Sequence, residues 1–379
     1  MLYWLSDLTD WYSPLRVFRY VTFRALGGAA TAFLFSVLVG PWVIRLLRRL
    51  KMGQPFRMGA AEKLQALHTG KTGTPTMGGV LIILTTILST ALWAIPDNPF
   101  VWLAAGTMAY MGTIGFWDDY RKVVLRNRRG LSGRLRLGLE ALWVAAMLGY
   151  LNANPELRML ARDIMVPFMK SPVWASAPIL VSFAFIFMVV VGSANAVNLT
   201  DGLDGLAIGC VNSAAAAYLV MAYAAGHVVF AQYLQVPYVA GASELTVFCG
   251  CLLGSGMGFL WYNCHPARVF MGDTGSLALG GAVAAIAVLI QQELTLMIVG
   301  GVFVAEALSV ILQVAYFRAT GGRRILRCAP LHHHCEIVGK ERAVREGREM
   351  EVVETMVTTR FWMISILFAL MGVATLKIR

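Results

Sequence analysis

Residues 177–205 read APILVSFAFIFMVVVGSANAVNLTDGLDG. The run over 177–198 has no ionisable side chain and is long enough to cross a hydrocarbon core of roughly 30 Å. Its end carries Asp201 and Asp204, and a carboxylate at the edge of a bilayer is costly enough to default to a functional reading. Working outward, comparable runs lie at 24–46, 75–95, 99–117, 138–152, 205–225, 244–262, 275–291, 294–317 and 361–377, ten in all. The run at 138–152 is the weakest, because Glu140 sits near its start and the stretch is short unless it extends back towards Arg134. With 58% hydrophobic and 14% charged residues the chain lies far outside the soluble norm. The expected fold is an all-α polytopic membrane protein of ten transmembrane helices, one integral-membrane domain over 1–379. Its one soluble-looking insertion is 318–360, where 341–354 reads as a solvated amphipathic helix. Asp7, Asp10, Arg16 and Arg19 interrupt the first 20 residues, so no cleavable leader is legible and the first span is expected to act as its own signal.

Orientation follows from the basic residues. They follow the first span (Arg45 to Lys71), the third (Arg121 to Arg136), the seventh (Arg268) and the ninth (Arg318 to Arg360), which makes that side cytoplasmic and both termini periplasmic. The net charge of +11 is then explained by loops facing anionic membrane lipid, and nucleic acid is not an expected partner. The six cysteines form no CxxC pair and are expected to be free thiols. No internal repeat is visible, which weakens an inverted-repeat transporter reading.

Every acidic motif falls on the cytoplasmic side. In Asp118-Asp119-Tyr120-Arg121-Lys122 a continuing helix would put Asp118 and Lys122 on one face and turn Asp119 about 100° away. A solvated acidic pair balancing a basic loop explains this pentapeptide equally well. In Asn195 to Gly205, Asn198, Asp201 and Asp204 are spaced by three, so a helical turn would stack oxygen donors suited to a hard cation, while Gly202 and Gly205 let backbone approach a ligand. Phe270-Met271-Gly272-Asp273-Thr274 opens the eighth span, with Asp273 or Thr274 as N-cap, as part of an anion or metal site, or both. Thr69 to Gly79 resembles a phosphate cradle but lacks the Walker order. His332-His333-His334 lacks zinc spacing and reads as a turn offering imidazole N–H donors to phosphate, and Glu306 stays unassigned as a bundle-facing acid.

The segments Gly73 to Gly79, Asp118 to Lys122, Asn195 to Gly205, Phe270 to Asp273 and Leu331 to His334, in this order on one face, resemble the MraY family, the phospho-N-acetylmuramoyl-pentapeptide transferases of bacterial peptidoglycan synthesis. The resemblance runs from about Tyr20 to the C-terminus. It implies ten transmembrane helices, a homodimer in the cytoplasmic (inner) membrane, and a Mg2+-dependent cytoplasmic site. The implied reaction transfers phospho-MurNAc-pentapeptide from UDP-MurNAc-pentapeptide to undecaprenyl phosphate, giving lipid I and UMP. It further implies Asp273 as principal metal ligand with Asp118, Asp119 and Asp201, and Asn198 with His332, His333 and His334 on the pyrophosphate. Lys71, Gly202, Leu203, Asp204, Asn263 and Phe270 would form the uridine pocket, with Lys122 and Arg136 neutralising phosphate charge. Arg136 stands where many members have Lys, and 341–354 is longer than the usual final loop.

In-line attack of the lipid phosphate on the β-phosphate is the favoured route, with Asp118 as a base and a covalent aspartyl-phosphate route left open. A transferase using UDP-GlcNAc would share the acidic motifs. An ion-coupled transporter, the alternative of another class, should carry its carboxylates nearer the midplane.

Overall fold

A computed structural model describes residues 1–50, 52, 73–125, 127, 130–347 and 349–378. The structure is all-α. Its longer helices are α1 Val21–Arg49, α2 Gly79–Trp93, α3 Pro99–Val123, α4 Gly133–Ala153, α5 Ile179–Thr200, α6 Leu206–Ala225, α7 Leu245–Asn263, α8 Gly272–Leu289, α9 Gly301–Ala319, α10 Leu331–Arg345 and α11 Glu351–Ala374. Among the described residues, eight helices are long and apolar enough to cross a membrane: α1, α3, α5, α6, α7, α8, α9 and α11. The two remaining expected spans are helices too. α2 has 15 residues, about 22 Å of rise, and α4 carries Arg134, Arg136 and Glu140 in its first turns.

Composition explains how the helices pack. Gly250, Gly254 and Gly258 form a stripe on α7, and a Cβ at each would overlap α1, at the backbone of Ala25 and Ala29 and at the Ser36 side chain. Small residues at this spacing let two helices touch backbone to backbone, which in lipid replaces the missing hydrophobic drive between helices. Hydroxyl pairs add to the contact, with Ser36 and Thr85 2.9 Å apart and Thr86 and Ser255 2.5 Å apart across neighbouring helices. The Gly- and Ala-rich α8 is the central helix, nearly all of it buried, and packs chiefly on α3 and α5.

At the end of the bundle away from the acidic motifs, Arg24 at the start of α1 is fully buried against Glu244 at the start of α7. The pair is bidentate at 2.5 and 2.6 Å. Arg24 also donates to the Trp93 carbonyl (3.3 Å), and Glu244 accepts the Ile95 N–H (3.1 Å).

Several expected boundaries move. The run 294–317 is not one helix: it breaks at Gly300 into Thr295–Val299 and α9, and Gly301 lies against the ring of Phe368. The run 75–95 loses its first residues because Pro75 and Gly78 pair their backbone with Phe270 (both 2.8 Å), so the helix opens only at Gly79. Most of 341–354 is exposed, as expected, but it is not one helix. This stretch is the end of α10, a turn through Gly347 with φ +64°, and the start of α11. Its Glu354 is buried instead of solvated, because a backbone amide and a histidine of the bundle claim its carboxylate. The insertion 318–360 is therefore largely helical and docked.

Candidate active site

The site is assembled around the N-terminus of α8. Gly272 has φ +73°, and a Cβ there would press on the Asp119 carboxylate, Thr76 and the Met77 amide. Only glycine tolerates both demands. Gly115 on α3 likewise brings that helix onto the backbone of Asp273 and Thr274. This close approach lets Asp119 accept hydrogen bonds from Thr274 N (2.9 Å) and Thr274 Oγ1 (2.8 Å). The expected caps Asp273 and Thr274 are thus not the N-cap: the cap residue is Met271, without a side-chain bond, and Asp119 from α3 takes over the capping function. The Gly272 N–H is directed to Asp201, which is the C-cap of α5. The positive end of the α8 dipole therefore holds two carboxylates of neighbouring helices.

Asp118 points the other way from the same helix. It is buried, accepts the Leu131 N–H at 2.5 Å and is ion-paired with Lys122, the expected i,i+4 partner. Lys122 Nζ also reaches Asp273 Oδ2 at 2.6 Å and so bridges α3 and α8. Asp201 is part-buried, and removal from solvent together with the charges of Asp273 and Asp119 pushes its carboxyl up to about 8. Four acidic side chains with one lysine between two of them offer hard oxygen donors, the donor type a small divalent cation takes.

Arg136 lies close enough for its charge to act on Asp273, and its guanidinium is oriented by Asn195 (2.6 Å) and Glu140 (3.2 Å). Asn198 is part-buried one turn before Asp201. The stacking expected through Asp204 does not form, since α5 stops at Thr200 and the chain turns through Gly205 at φ +74°. Asp204 faces away instead, its Oδ2 accepting from Ala267 N (3.1 Å) and lying 3.0 Å from His265 Nδ1.

Asp204, His265 and Glu354 form a buried group whose ligand atoms lie within 4.8 Å of one another and could hold a metal ion. Asn263 is committed to backbone: its Oδ1 accepts Gly205 N (3.1 Å) and its Nδ2 donates to Val269 O (2.8 Å). Leu203 is buried in the core, and Phe270 is part-buried with its backbone tied to Pro75 and Gly78. Lys71 lies outside the described residues.

The expected histidine turn is the first turn of α10. His332 is buried; its backbone N–H donates to Glu306 Oε1 (3.1 Å), and its Nδ1 is 3.2 Å from Glu306 Oε2. Burial lowers the pKa of its imidazole, which favours the neutral form. Glu306, unassigned from sequence, therefore caps α10. A Cβ on Gly202 would overlap the rings of His332 and His333, so α10 and the 201–205 turn touch. His333 Nδ1 is 3.3 Å from Glu336, and His334 Nδ1 accepts Arg327 N (3.2 Å). Sequence reading missed His265 and Glu354. The only signal for Glu354 was an acid at the mouth of an apolar helix.

Comparison with known proteins gives two family matches. Residues 101–291 match the family described as glycosyl transferase family 4, and residues 71–83 match phospho-N-acetylmuramoyl-pentapeptide-transferase signature 1. Proteins named phospho-N-acetylmuramoyl-pentapeptide-transferase are similar over their whole length. The protein from Methylacidiphilum infernorum (isolate V4) is 48% identical over 386 residues, covering 100% of each chain. The one from Syntrophus aciditrophicus (strain SB) is 48% identical over 383 residues, again 100% of each. That from Rhodopseudomonas palustris (strain BisA53) is 47% identical over 385 residues at the same coverage.

Proposed function

The chain belongs to the phospho-N-acetylmuramoyl-pentapeptide-transferase family, and from that premise we infer its reaction: phospho-MurNAc-pentapeptide passes from UDP-MurNAc-pentapeptide to undecaprenyl phosphate, forming lipid I and UMP. It is a multi-pass membrane enzyme of bacterial peptidoglycan synthesis. The proposal includes ten crossings with α2 and α4 as the second and fourth, both termini periplasmic, the site cytoplasmic, and a homodimer.

The observation that carries the site reading is Lys122 bridging Asp118 and Asp273 beside the capped N-terminus of α8. Magnesium would be held by Asp273 with Asp118, Asp119 and Asp201, and when bound supplies neutralisation of phosphate charge. Lys122 and Arg136 lower the repulsion between two anionic substrates. The lipid phosphate oxygen forms a bond to the β-phosphorus while the bond to the α-phosphate oxygen breaks, and UMP leaves with the electron pair. A phosphate at neutral pH is largely ionised already, so Asp118 orients Lys122 instead of serving as an obligatory base. Neutral His332, held by Glu306, sets the edge of α10 against Gly202, with His333 and His334 along the pyrophosphate. The uridine would lie along the 202–205 backbone of Gly202, Leu203 and Asp204, which Asn263 fixes at Gly205, with Phe270 offering its ring face; Lys71 and Asn198 complete the donor contacts.

Purified protein should release UMP from UDP-MurNAc-pentapeptide only when undecaprenyl phosphate and Mg2+ are both present. Turnover of UDP-GlcNAc in its place would overturn the donor assignment.

Topology has its own test. Thr200, at the mouth of the acidic turn, is fully buried, so the exposed Leu199 beside it is the position to label. In a background without the native cysteines, Leu199→Cys and Arg342→Cys should be shielded from an impermeant thiol reagent in intact cells and labelled in inverted vesicles. Lys170→Cys should behave oppositely. Labelling of Leu199→Cys from outside would break the ten-crossing count.

A further inference from the structure

The last helix presents three polar side chains to the backbone of the acidic turn. On α11, Glu354, Thr358 and Trp362 are spaced by four, so they fall along one stripe of the helix. Glu354 Oε1 accepts the Asp204 N–H at 3.1 Å. Thr358 Oγ1 donates to the Asp204 carbonyl at 3.4 Å, and Trp362 Nε1 donates to the Gly205 carbonyl at 3.1 Å. Glu354 and Thr358 are buried, and the indole of Trp362 lies so close to Gly209 that a Cβ there would overlap it. Glu354 Oε2 is also 3.7 Å from His265 Nδ1, whose other neighbour is the Asp204 carboxylate at 3.0 Å.

Apolar packing does not account for this stripe. A membrane helix gains nothing by burying a glutamate unless the carboxylate is used. Here it satisfies a backbone amide in a stretch that cannot be helical, because the chain between α5 and α6 turns through a left-handed glycine. We propose that Glu354, with Thr358 and Trp362, forms a positioning device that fixes the 203–205 backbone and thereby sets the affinity for the nucleotide donor. None of the three touches the reacting atoms. They act through Asp204, which Glu354 holds by its amide and, through His265, by its carboxylate. Asp119 has a separate anchor in Thr274, so the acidic cluster should suffer less than the nucleotide pocket when the stripe is broken.

This inference rests on the transferase reading, and its test is separable from that reading because wild-type turnover is measured first. Full-length enzyme carrying Glu354→Ala should show a donor KM and a UMP Kd each raised about tenfold, with kcat changed less, since a hydrogen bond to a charged acceptor is lost. Glu354→Gln keeps an acceptor for the Asp204 amide and should restore most of the affinity. Ser365→Ala is the control for mere docking of α11. It removes a buried hydrogen bond from the same helix to the Cys210 carbonyl (3.3 Å), away from the turn, and should leave KM and UMP affinity at wild-type values. Should Glu354→Ala fail to fold, Trp362→Phe removes the indole N–H together with part of the ring and should still raise KM severalfold. Wild-type KM in Trp362→Phe and in any folded Glu354→Ala, or equal shifts in Ser365→Ala, would overturn the proposal.

Discussion

Asp273→Ala is expected to reduce lipid I formation by on the order of 10³-fold, the scale for removing one group that stabilises transition-state charge. The expectation comes from what Asp273 does in the fold, which is little, and what it does at the site, which is central. Its side chain is 18% exposed and paired with Lys122, and the start of the helix is capped instead by Asp119. Its removal leaves Lys122 paired with Asp118 alone and takes away a carboxylate that no neighbour can replace. The variant should therefore insert and melt like the wild type while turnover collapses at saturating Mg2+. Substantial activity under those conditions would remove Asp273 from the centre of the site.

The opposite pattern is expected at Arg24. Replacing Arg24 by Met leaves Glu244 buried with only the Ile95 amide, and breaking such a pair typically costs about 3–5 kcal/mol. Thermal unfolding in detergent, followed by size-exclusion of the surviving fold, should show a drop of several degrees. The double variant Arg24→Met/Glu244→Leu should recover most of it, because two apolar side chains need no counter-charge. Activity of the surviving protein at low temperature should be unchanged, since the pair lies at the end of the bundle away from the acidic cluster. Equal melting of the single variant and the wild type would show the pair to be energetically idle.

Most of the helical framework was legible because span length and hydropathy are local properties, and 179–200 is helical almost wherever it is placed. Asp118 and Lys122 were legible for the same reason: four residues on one helix must be neighbours. Other features depend on partners remote in sequence. Nothing near Asp119 indicates that it caps a helix 153 residues later through Thr274, and nothing near Lys122 indicates a reach to Asp273. The break at Gly300 escaped detection because apolar residues continue on both sides, and a window of mean hydropathy does not register a change of direction. Glu354 is misplaced by charge density at 341–354, which suggests solvent, whereas the deciding fact is the Asp204 amide, which donates to it from about 150 residues away. Asn263 reads as a pocket residue, yet both ends of its amide serve backbone.

The stripe on α11 also bears on biogenesis. The turn that carries Asp204 is synthesised well before the residues that hold it, which lie in α11 about 150 residues further along. At roughly 5–20 residues per second the turn waits about eight to thirty seconds for its clasp. A nascent or C-terminally truncated chain should therefore already sit in the bilayer with its acidic cluster written but unable to grip nucleotide. On the proposed role of the stripe, synthesis of α11 thus becomes the step that completes the nucleotide pocket.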